Sequence, residues 1–250
     1  MDSEAAPNQG TQVSLLVTIE GNLGAGKSTF LTKFQENEEY ITLGEPVRMW
    51  ESVVGQENLL ELKYRNPNRW EFTFQIYADL TRALSLRDTQ CQRKVRIQER
   101  SMLSGHKIFA ALQQEAGCLS EMEAEVLKTW YGYLSGVGSG VQTTPDLFIY
   151  LRAPPEVVFE RMRNRNRVAE QGVSLTYLQK VHDYHEQLFI TNASQLPSPV
   201  LVLDTSLDES SFPHLWAEAE ASIQAARGRK VREQELVDRF MEELIGETQG

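Results

Sequence analysis

Residues 21–29, with the sequence GNLGAGKST, form a pattern that binds phosphate. The stretch from Gly21 to Ser28 matches G-x-x-x-x-G-K-[ST], in which glycines let backbone amides turn toward phosphate oxygens. The lysine contacts the outer phosphates, the serine can bind magnesium, and the helix that follows aims its positive end at the anion. A buried strand predicted at 13–20 and the helical stretch STFLTKFQEN give the required context. The motif predicts a nucleoside triphosphate site formed by Gly21, Asn22, Gly24, Ala25, Gly26, Lys27, Ser28 and Thr29.

Acidic and basic residues end two further predicted strands. GEPVRMW places Glu45 at the end of the strand predicted at 40–46, and QERS places Glu99 and Arg100 at the end of the strand at 94–101. Ligands of parallel α/β sheets bind beyond the carboxyl ends of the strands, so these residues should converge with the phosphate loop. There Glu45 could accept a proton from an attacking hydroxyl and Glu99 could serve magnesium. Taken alone, Glu45 is equally well a solvated turn residue. For Glu99 and Arg100 the alternative is a surface ion pair, which their place at a strand end beside the phosphate loop disfavours.

Other classes of phosphate-loop protein lack their signatures here. Switch GTPases need Asp-x-x-Gly and Asn-Lys-x-Asp, and neither occurs. ATPase motors carry an apolar strand that ends in two adjacent acids, whereas VLVLDTS has one. A dinucleotide motif is excluded because Thr29 stands where its third glycine should be. The phosphate loop alone is shared by switches, motors and kinases, and the missing signatures argue against the first two.

Two helical stretches carry candidate binding side chains. ERMRNRNR supplies Arg161, Arg165 and Arg167, which could neutralise a transferring phosphoryl group, although a solvated basic face is favoured on this evidence alone. RWEFTFQIYADLTRAL has an aromatic stripe, which is usually core. Its polar members Gln75 and Arg82 need partners, and a nucleobase stacked among the rings would supply them.

Strands alternate with helices along the chain, which predicts a doubly wound α/β fold with a five-stranded parallel sheet and helices on both faces. The remaining strands are predicted at 145–152 and 199–204. Helices are predicted over 58–87 with a break near Pro67, at 120–134 behind a Ser120–Glu123 capping box, at 154–167 and at 175–189. Two amphipathic segments near 211–226 and 230–245, with ARGRK as a loop between them, close the chain. Residues 1–12 are predicted to be a disordered tail, 13–228 the main domain and 229–250 a C-terminal amphipathic helix or tail.

Composition limits the partners and the compartment. The 250 residues carry a formal net charge of −10, which disfavours binding of a nucleic acid polymer. No apolar run approaches the length of a membrane span, so no membrane partner is expected. The two cysteines have no metal-type spacing and suit a reducing compartment. The start MDSEAAPNQGTQ lacks the character of a mitochondrial transit peptide, so we expect a cytoplasmic or nuclear protein.

Taken together, six blocks resemble the deoxyribonucleoside kinases in order and spacing. They are IEGNLGAGKSTF, GEPVRMW, NPNRWEFTFQIYADLTRA, QERSMLSGHKIF, YLRAPPEVVFERMRNRNR and EQGVSLTYLQKVHDYHEQLF, and the resemblance runs from about Val13 to Asp204. It implies a P-loop kinase fold with an arginine-rich LID that closes over the donor. The implied reaction moves the γ-phosphoryl group of ATP or another nucleoside triphosphate, with Mg²⁺, to the 5′-hydroxyl of a deoxyribonucleoside. Members of the family are typically homodimers joined through helices.

The resemblance also implies residue roles. Glu45 would be the general base, Arg100 would hold the 5′ oxygen and the transferring group, and Lys27 would contact the donor phosphates. Ser28 and Glu99 would bind the magnesium ion. Tyr64 and Glu170 would bind the 3′-hydroxyl of the sugar. Gln75 would read the base edge. The base pocket would further contain Trp50, Leu60, Phe74, Ala78, Arg82, Gly105 and Phe109, and the LID would carry Arg161, Arg165 and Arg167.

The base pocket departs from the family pattern. Gly105 and His106 stand where the cytidine and guanosine enzymes carry Asp-Arg and the thymidine-type enzymes Ala-Arg. Ala78 and Arg82 resemble the cytidine and guanosine enzymes, in which the arginine pairs with that missing aspartate. Without it, Arg82 either swings away or meets the substrate. The pattern favours deoxycytidine and purine deoxynucleosides, with broad tolerance, and leaves open a thymidine-preferring kinase of the family.

Two other functions fit a phosphate loop but suit the other residues less well. A regulatory P-loop protein would bind triphosphate without catalysis, but it would need no base such as Glu45. A nucleoside monophosphate kinase would need an extra arginine cluster for the acceptor phosphate, whereas Tyr64 and Glu170 suit an uncharged acceptor.

Overall fold

A five-stranded, all-parallel sheet forms the centre of the protein in the computed structural model. The structure describes residues 13–247 apart from 56, 90–94, 137–138, 166–169, 171 and 207–211, so the predicted tail at 1–12 lies outside the described residues. The strand order is β2-β3-β1-β4-β5. The strands are β1 (Leu15–Glu20), β2 (Tyr40–Leu43), β3 (Val95–Glu99), β4 (Leu147–Arg152) and β5 (Val200–Asp204). The predicted sheet is confirmed.

The registers bring the carboxyl ends of three strands to one edge of the sheet. β1 is apolar over most of its length and buried throughout, as expected of a central parallel strand. Ile19 pairs with Glu99, and Leu43 pairs with Gln98. The residues that follow β1, β2 and β3 therefore emerge side by side.

Helices pack on both faces of the sheet. One core cluster contains Ile149 of β4, and a separate cluster contains its neighbours Phe148 and Tyr150. Successive strand residues point to opposite faces, so the two clusters are the cores of the two faces. The helices are α1 (Lys27–Thr32), α2 (Val47–Glu51), α3 (Leu59–Arg65), α4 (Pro67–Thr89), α5 (Met102–Ser104), α6 (Ala111–Glu115), α7 (Glu121–Ser135), α8 (Pro155–Arg165), α9 (Leu175–Glu186) and α10 (Phe212–Glu247).

Local signals account for several helix boundaries. The predicted break near Pro67 is confirmed, because α3 ends at Arg65 and α4 starts at the proline. The Ser120 hydroxyl and the Glu123 side chain form the predicted capping box before α7. The sequence did not predict α2, nor the π-helical turn at Gly105–Ala110 that joins α5 to α6.

The predicted loop at ARGRK is wrong, because α10 runs without interruption through these residues. A glycine in a helix interior costs only about 1 kcal/mol relative to alanine. Packing of the buried Ala219, Ile223 and Ala226 against the protein core outweighs that cost at Gly228. The division of the chain at residue 228 stays a prediction. Among the described helices, none is both long and apolar enough to cross a membrane.

The helical conformation of Gly228 can be tested by substitution. A Cβ atom there would meet only the flexible Arg232 side chain, at 3.5 Å. We expect Gly228→Ala to raise the free energy of unfolding by about 0.5–1 kcal/mol, measured by urea denaturation. Gly117→Ala is the control and should lower the free energy of unfolding, because Gly117 has φ of +75° and alanine would be strained there. A loss of stability in Gly228→Ala would contradict a continuous helix.

Candidate active site

The phosphate loop after β1, Glu45 after β2, and Glu99 with Arg100 at the end of β3 all contribute to the lining of one cavity of about 960 Å³. It opens beyond the carboxyl ends of β1, β2 and β3 and is bordered by α3, α4 and α8. Of the residues predicted to form the site, its lining includes Gly24, Gly26, Lys27, Ser28, Thr29, Glu45, Trp50, Leu60, Tyr64, Phe74, Gln75, Arg82, Glu99, Arg100, Gly105, Phe109, Arg161, Arg165 and Glu170. The predicted convergence in space is therefore found.

The phosphate loop has the backbone that its glycines were expected to allow. Gly24 and Gly26 adopt φ of 79° and 91°. A Cβ atom at Gly24 would lie 2.6 Å from the Val158 carbonyl oxygen, so a larger residue does not fit. The Lys27 ammonium donates to the carbonyls of Gly21 and Asn22 at 3.2 and 2.9 Å. Burial and the nearby Arg100 lower the pKa of Lys27 to about 8, and an anion in the cavity would oppose that shift.

Ser28 and Glu99 form a compact pair of oxygen donors beside Lys27. The Ser28 hydroxyl donates to Glu99 Oε2 at 2.9 Å, and Glu99 Oε1 lies 4.0 Å from the Lys27 Nζ atom. Among the described residues, no group of three or more His, Cys, Asp or Glu side chains could hold a metal ion by itself. Two oxygen ligands nevertheless fit Mg²⁺, which usually binds one or two protein groups and fills its shell with phosphate and water.

Glu45 joins two guanidinium groups on one oxygen atom. Its Oε1 accepts hydrogen bonds from Arg82 Nη2 and Arg100 Nε, both at 2.9 Å. Burial alone would raise the pKa of Glu45, but Arg100, Arg82 and Lys27 outweigh it and hold the pKa at about 2. Glu45 is therefore a carboxylate at neutral pH.

Arg100 is held in a constrained conformation. Its φ of 64° is the only positive value of a non-glycine residue in the described chain. Its backbone NH donates to Ile19 O at 2.9 Å, and the next NH, of Ser101, donates to Glu20 Oε1 at 2.9 Å. The guanidinium carbon lies 4.4 Å from the centre of the Phe109 ring. Such strain persists where the surrounding structure holds it, and it clusters at functional sites.

The far end of the cavity is aromatic, with polar groups set into it. Trp50 and Phe74 meet edge to face with centroids 5.2 Å apart. Gln75 is buried, and its Nε2 donates to Glu71 Oε1 at 2.7 Å. The Lys63 ammonium lies 3.7 Å from Glu71 Oε2 and 4.7 Å from the centre of the Phe74 ring.

Arg82 keeps acidic neighbours despite the glycine at position 105. Asp79, one turn earlier on α4, places Oδ1 3.8 Å from Arg82 Nη1. A Cβ atom on Gly105 would lie 3.5 Å from both of these atoms. Of the two alternatives expected for Arg82, it does not swing away, because Glu45 Oε1 accepts a hydrogen bond from Arg82 Nη2 at 2.9 Å. Direct contact of Arg82 with the substrate stays a prediction. Burial, only partly opposed by Arg82, raises the pKa of Asp79 to about 7.

The remaining predicted residues border the cavity near α8. Glu170 pairs with Arg165, and the Arg161 guanidinium donates to the Thr205 carbonyl at 2.8 Å. Burial raises the pKa of Tyr64 to about 12, with Glu170 among the nearby charges that add to the shift. Tyr64 is therefore a neutral hydroxyl that can donate and accept.

Four predicted residues do not line the cavity, and one cannot be placed. The carbonyls of Gly21 and Asn22 accept from Lys27, while Ala25 and Ala78 are fully buried in the core. Arg167 lies outside the described residues.

The sequence reasoning missed Lys63, Glu71 and Asp79. Glu71, Gln75 and Asp79 follow one another at intervals of four residues, which places them along one face of α4. Acids on the same face as an aromatic stripe were a signal that could have been used.

The chain belongs to the deoxynucleoside kinase family. The profile of that family matches residues 17–223. The chain is 34% identical over 233 residues to deoxycytidine kinase from Bos taurus, covering 82% of this chain and 89% of the relative. It is 31% identical to mitochondrial thymidine kinase 2 from Homo sapiens, covering 86% and 80%. It is 32% identical to mitochondrial deoxyguanosine kinase from Xenopus laevis, covering 83% and 87%. The protein is thus a kinase of this family, and the reading as a non-catalytic binder is set aside.

The raised pKa of Asp79 predicts a pH-dependent stability. The folded protein holds the Asp79 proton more firmly than the unfolded chain does, so stability is lost as pH rises from about 4 to about 7. Asp79→Asn stays neutral. We expect its free energy of unfolding to improve relative to wild type by about 2 kcal/mol between pH 5 and pH 8, measured by urea denaturation at each pH. Asp88→Asn, at an exposed position of α4, is the control, and an identical pH profile in both variants would contradict the assignment.

Proposed function

We propose that the protein transfers the γ-phosphoryl group of ATP, or of another nucleoside triphosphate, to the 5′-hydroxyl of a deoxyribonucleoside. The observation that carries this is one cavity in which Glu45 and Arg100 meet the phosphate loop with Lys27. The transfer needs a proton acceptor, a cation on the moving group and a cradle for the triphosphate. Membership of the deoxynucleoside kinase family supports the same reaction.

At the donor end, the loop from Gly21 to Thr29 would hold the triphosphate, with Lys27 at its outer phosphates. Ser28 and Glu99 would hold Mg²⁺, which when bound neutralises charge that develops on the phosphates. Arg161 and Arg165 line the same cavity from α8, and with Arg167 they would form the LID. Their present partners, the Thr205 carbonyl and Glu170, would be exchanged for phosphate oxygens as the site closes.

At the reacting centre, Glu45 would accept the proton of the 5′-hydroxyl. A carboxylate with a pKa of about 2 is a weak base while two guanidiniums hold it. If Arg100 turns toward the transferring group, one of these cations leaves Glu45 and its basicity rises. Arg100 would thereby stabilise the phosphoryl group and activate the base in one movement.

At the acceptor end, Tyr64 and Glu170 would bind the 3′-hydroxyl of the sugar. The base would lie among Trp50, Leu60, Phe74 and Phe109, with Gly105 leaving room and Arg82 at the inner end. The small Ala78 would lie behind this lining. Gln75 would read the base edge. We propose deoxycytidine and purine deoxynucleosides as the favoured substrates, because the Arg82 side chain narrows the space for the thymine methyl group; the alternative is a thymidine-preferring kinase.

The reaction is tested with the four deoxyribonucleosides, ATP and Mg²⁺. Wild type should phosphorylate them, with thymidine the poorest. Glu45→Gln should lower kcat by about 10²–10⁴-fold, because the amide cannot accept the proton. Glu38→Gln, an exposed acid before β2, is the matched control. Near-normal turnover in Glu45→Gln, with the fold intact by circular dichroism, would remove Glu45 as the base; no turnover of any deoxyribonucleoside by wild type would overturn the function.

We also propose that the protein is a homodimer joined through α4 and α7. These helices border an apolar groove of about 410 Å³ lined by Ile76, Met122, Val126, Trp130 and Tyr133. Met122 is 78% exposed, Val126 46% and Tyr133 59%, which leaves large apolar groups in water. The family resemblance, with homodimers joined through helices, supports a second copy as the occupant.

Sedimentation tests the dimer. Wild type should sediment as a dimer at micromolar concentration, and Val126→Arg should sediment as a monomer, because it places a charge in an apolar contact. Val54→Arg, which changes an exposed valine far from this groove in the sequence, is the control. A monomeric wild type would contradict the proposal.

For the compartment, we propose the cytoplasm, with the nucleus as the alternative. The low cysteine content suits a reducing compartment. Some relatives are named as mitochondrial, so membership of the family does not by itself decide the location.

A further inference from the structure

A buried acid stands behind the base-reading residue, and the proposed reaction does not use it. Glu71 has no exposed surface and lies one turn before Gln75 on α4. Its Oε1 accepts from Gln75 Nε2 at 2.7 Å, and its Oε2 lies 3.7 Å from the Lys63 ammonium. Lys63 and Gln75 line the cavity, whereas Glu71 lies behind them.

The charge on this pair fixes which end of the Gln75 amide faces the acid. Burial would lower the pKa of Lys63, but the Glu71 carboxylate outweighs it and raises that pKa, so Lys63 remains an ammonium. A carboxylate only accepts hydrogen bonds, so it binds the NH₂ group and repels the amide oxygen. Turning the Gln75 amide over would bring two acceptors together inside a buried site. The contact therefore turns Gln75 Oε1 away from Glu71.

We propose that Glu71 is a positioning residue that locks the Gln75 amide with its oxygen toward the nucleobase. The cavity would then select bases that present an amino group to Gln75, as cytosine and adenine do, over thymine, which presents an oxygen there. This inference rests on the proposed deoxynucleoside kinase function. The amino group of cytosine or adenine donates to Gln75 Oε1, while the oxygen of thymine in the same place meets another acceptor. The two nearby cations are poor alternative donors for the thymine oxygen, because Lys63 is already paired with Glu71 and Arg82 with Glu45.

Glu71→Gln tests the lock with almost no change in shape. A glutamine at position 71 either donates or accepts, so the Gln75 amide can turn to suit either type of base. We expect the ratio of kcat/KM for deoxycytidine over thymidine to fall about tenfold or more, since each 1.4 kcal/mol of discrimination is a factor of ten. The decisive readout is a rise in kcat/KM for thymidine, mainly through KM. A merely structural loss would lower kcat/KM for both substrates.

A double variant and a control complete the experiment. Glu71→Gln leaves the Lys63 ammonium buried without its acid, which can prevent folding. Lys63→Met with Glu71→Gln removes both charges together and should show the same loss of discrimination in a folded protein. Glu61→Gln, which changes an exposed acid of α3, should leave the ratio unchanged.

The outcomes separate this inference from the function on which it rests. An unchanged ratio in folded Glu71→Gln and in the double variant, with no rise for thymidine, would overturn the lock while the kinase activity stands. A wild-type protein that phosphorylates neither deoxycytidine nor thymidine would overturn the proposed function itself. Wild type that prefers thymidine would show that the amide is not locked with its oxygen toward an amino group.

Discussion

One carboxylate oxygen connects three parts of the fold at the centre of the cavity. Glu45 follows β2, Arg100 follows β3 and Arg82 belongs to α4, and both guanidiniums bond to Glu45 Oε1 at 2.9 Å. Taking these charges out of water is costly, and removing one partner of such a group typically costs 3–5 kcal/mol because the others stay buried and unpaired. The acid that the proposed chemistry needs therefore also fixes the sheet edge against α4. Stability and reactivity depend here on the same contact.

At the base-binding end of the cavity, buried cationic side chains again have acidic neighbours. Asp79 approaches Arg82 from its own helix, at the place that a side chain on residue 105 would otherwise reach. Position 105 can thus be glycine without leaving the guanidinium unpartnered, which explains how Arg82 and Gly105 coexist in one pocket. Glu71, one turn before Gln75 on α4, forms a second pair with Lys63 of α3. The side chains of Gln75 and Arg82 could otherwise rotate, and their contacts with Glu71 and Glu45 hold them in place.

Most of the fold and much of the site could be predicted because their signals are local. The five strands and the phosphate loop depend on short runs of residue types, and the clusters at Glu45 and Glu99 follow from the rule for parallel strand ends. Continuity of α10 at Gly228 could not be predicted, since tertiary packing outweighs a small local cost. Lys63 and Asp79 were missed for a related reason. Charged residues are expected on the surface, and only their mutual distances show that they are paired inside.

The backbone separates the reacting groups from the groups that would choose the base. Arg100 is fixed at a strand end by hydrogen bonds to Ile19 and, through Ser101, to Glu20, so its unusual φ is imposed by the central sheet. Gln75 and Arg82, which would contact the base, lie instead on α4. Residues four apart on a helix share one face, so an acid can occupy either of two such positions without a change in the sheet. In this chain the second acid near Arg82 is Asp79 of α4 and not a side chain at position 105, and Arg82 still donates to Glu45 at 2.9 Å. Base selection can therefore vary on this scaffold while the arrangement for phosphoryl transfer stays the same.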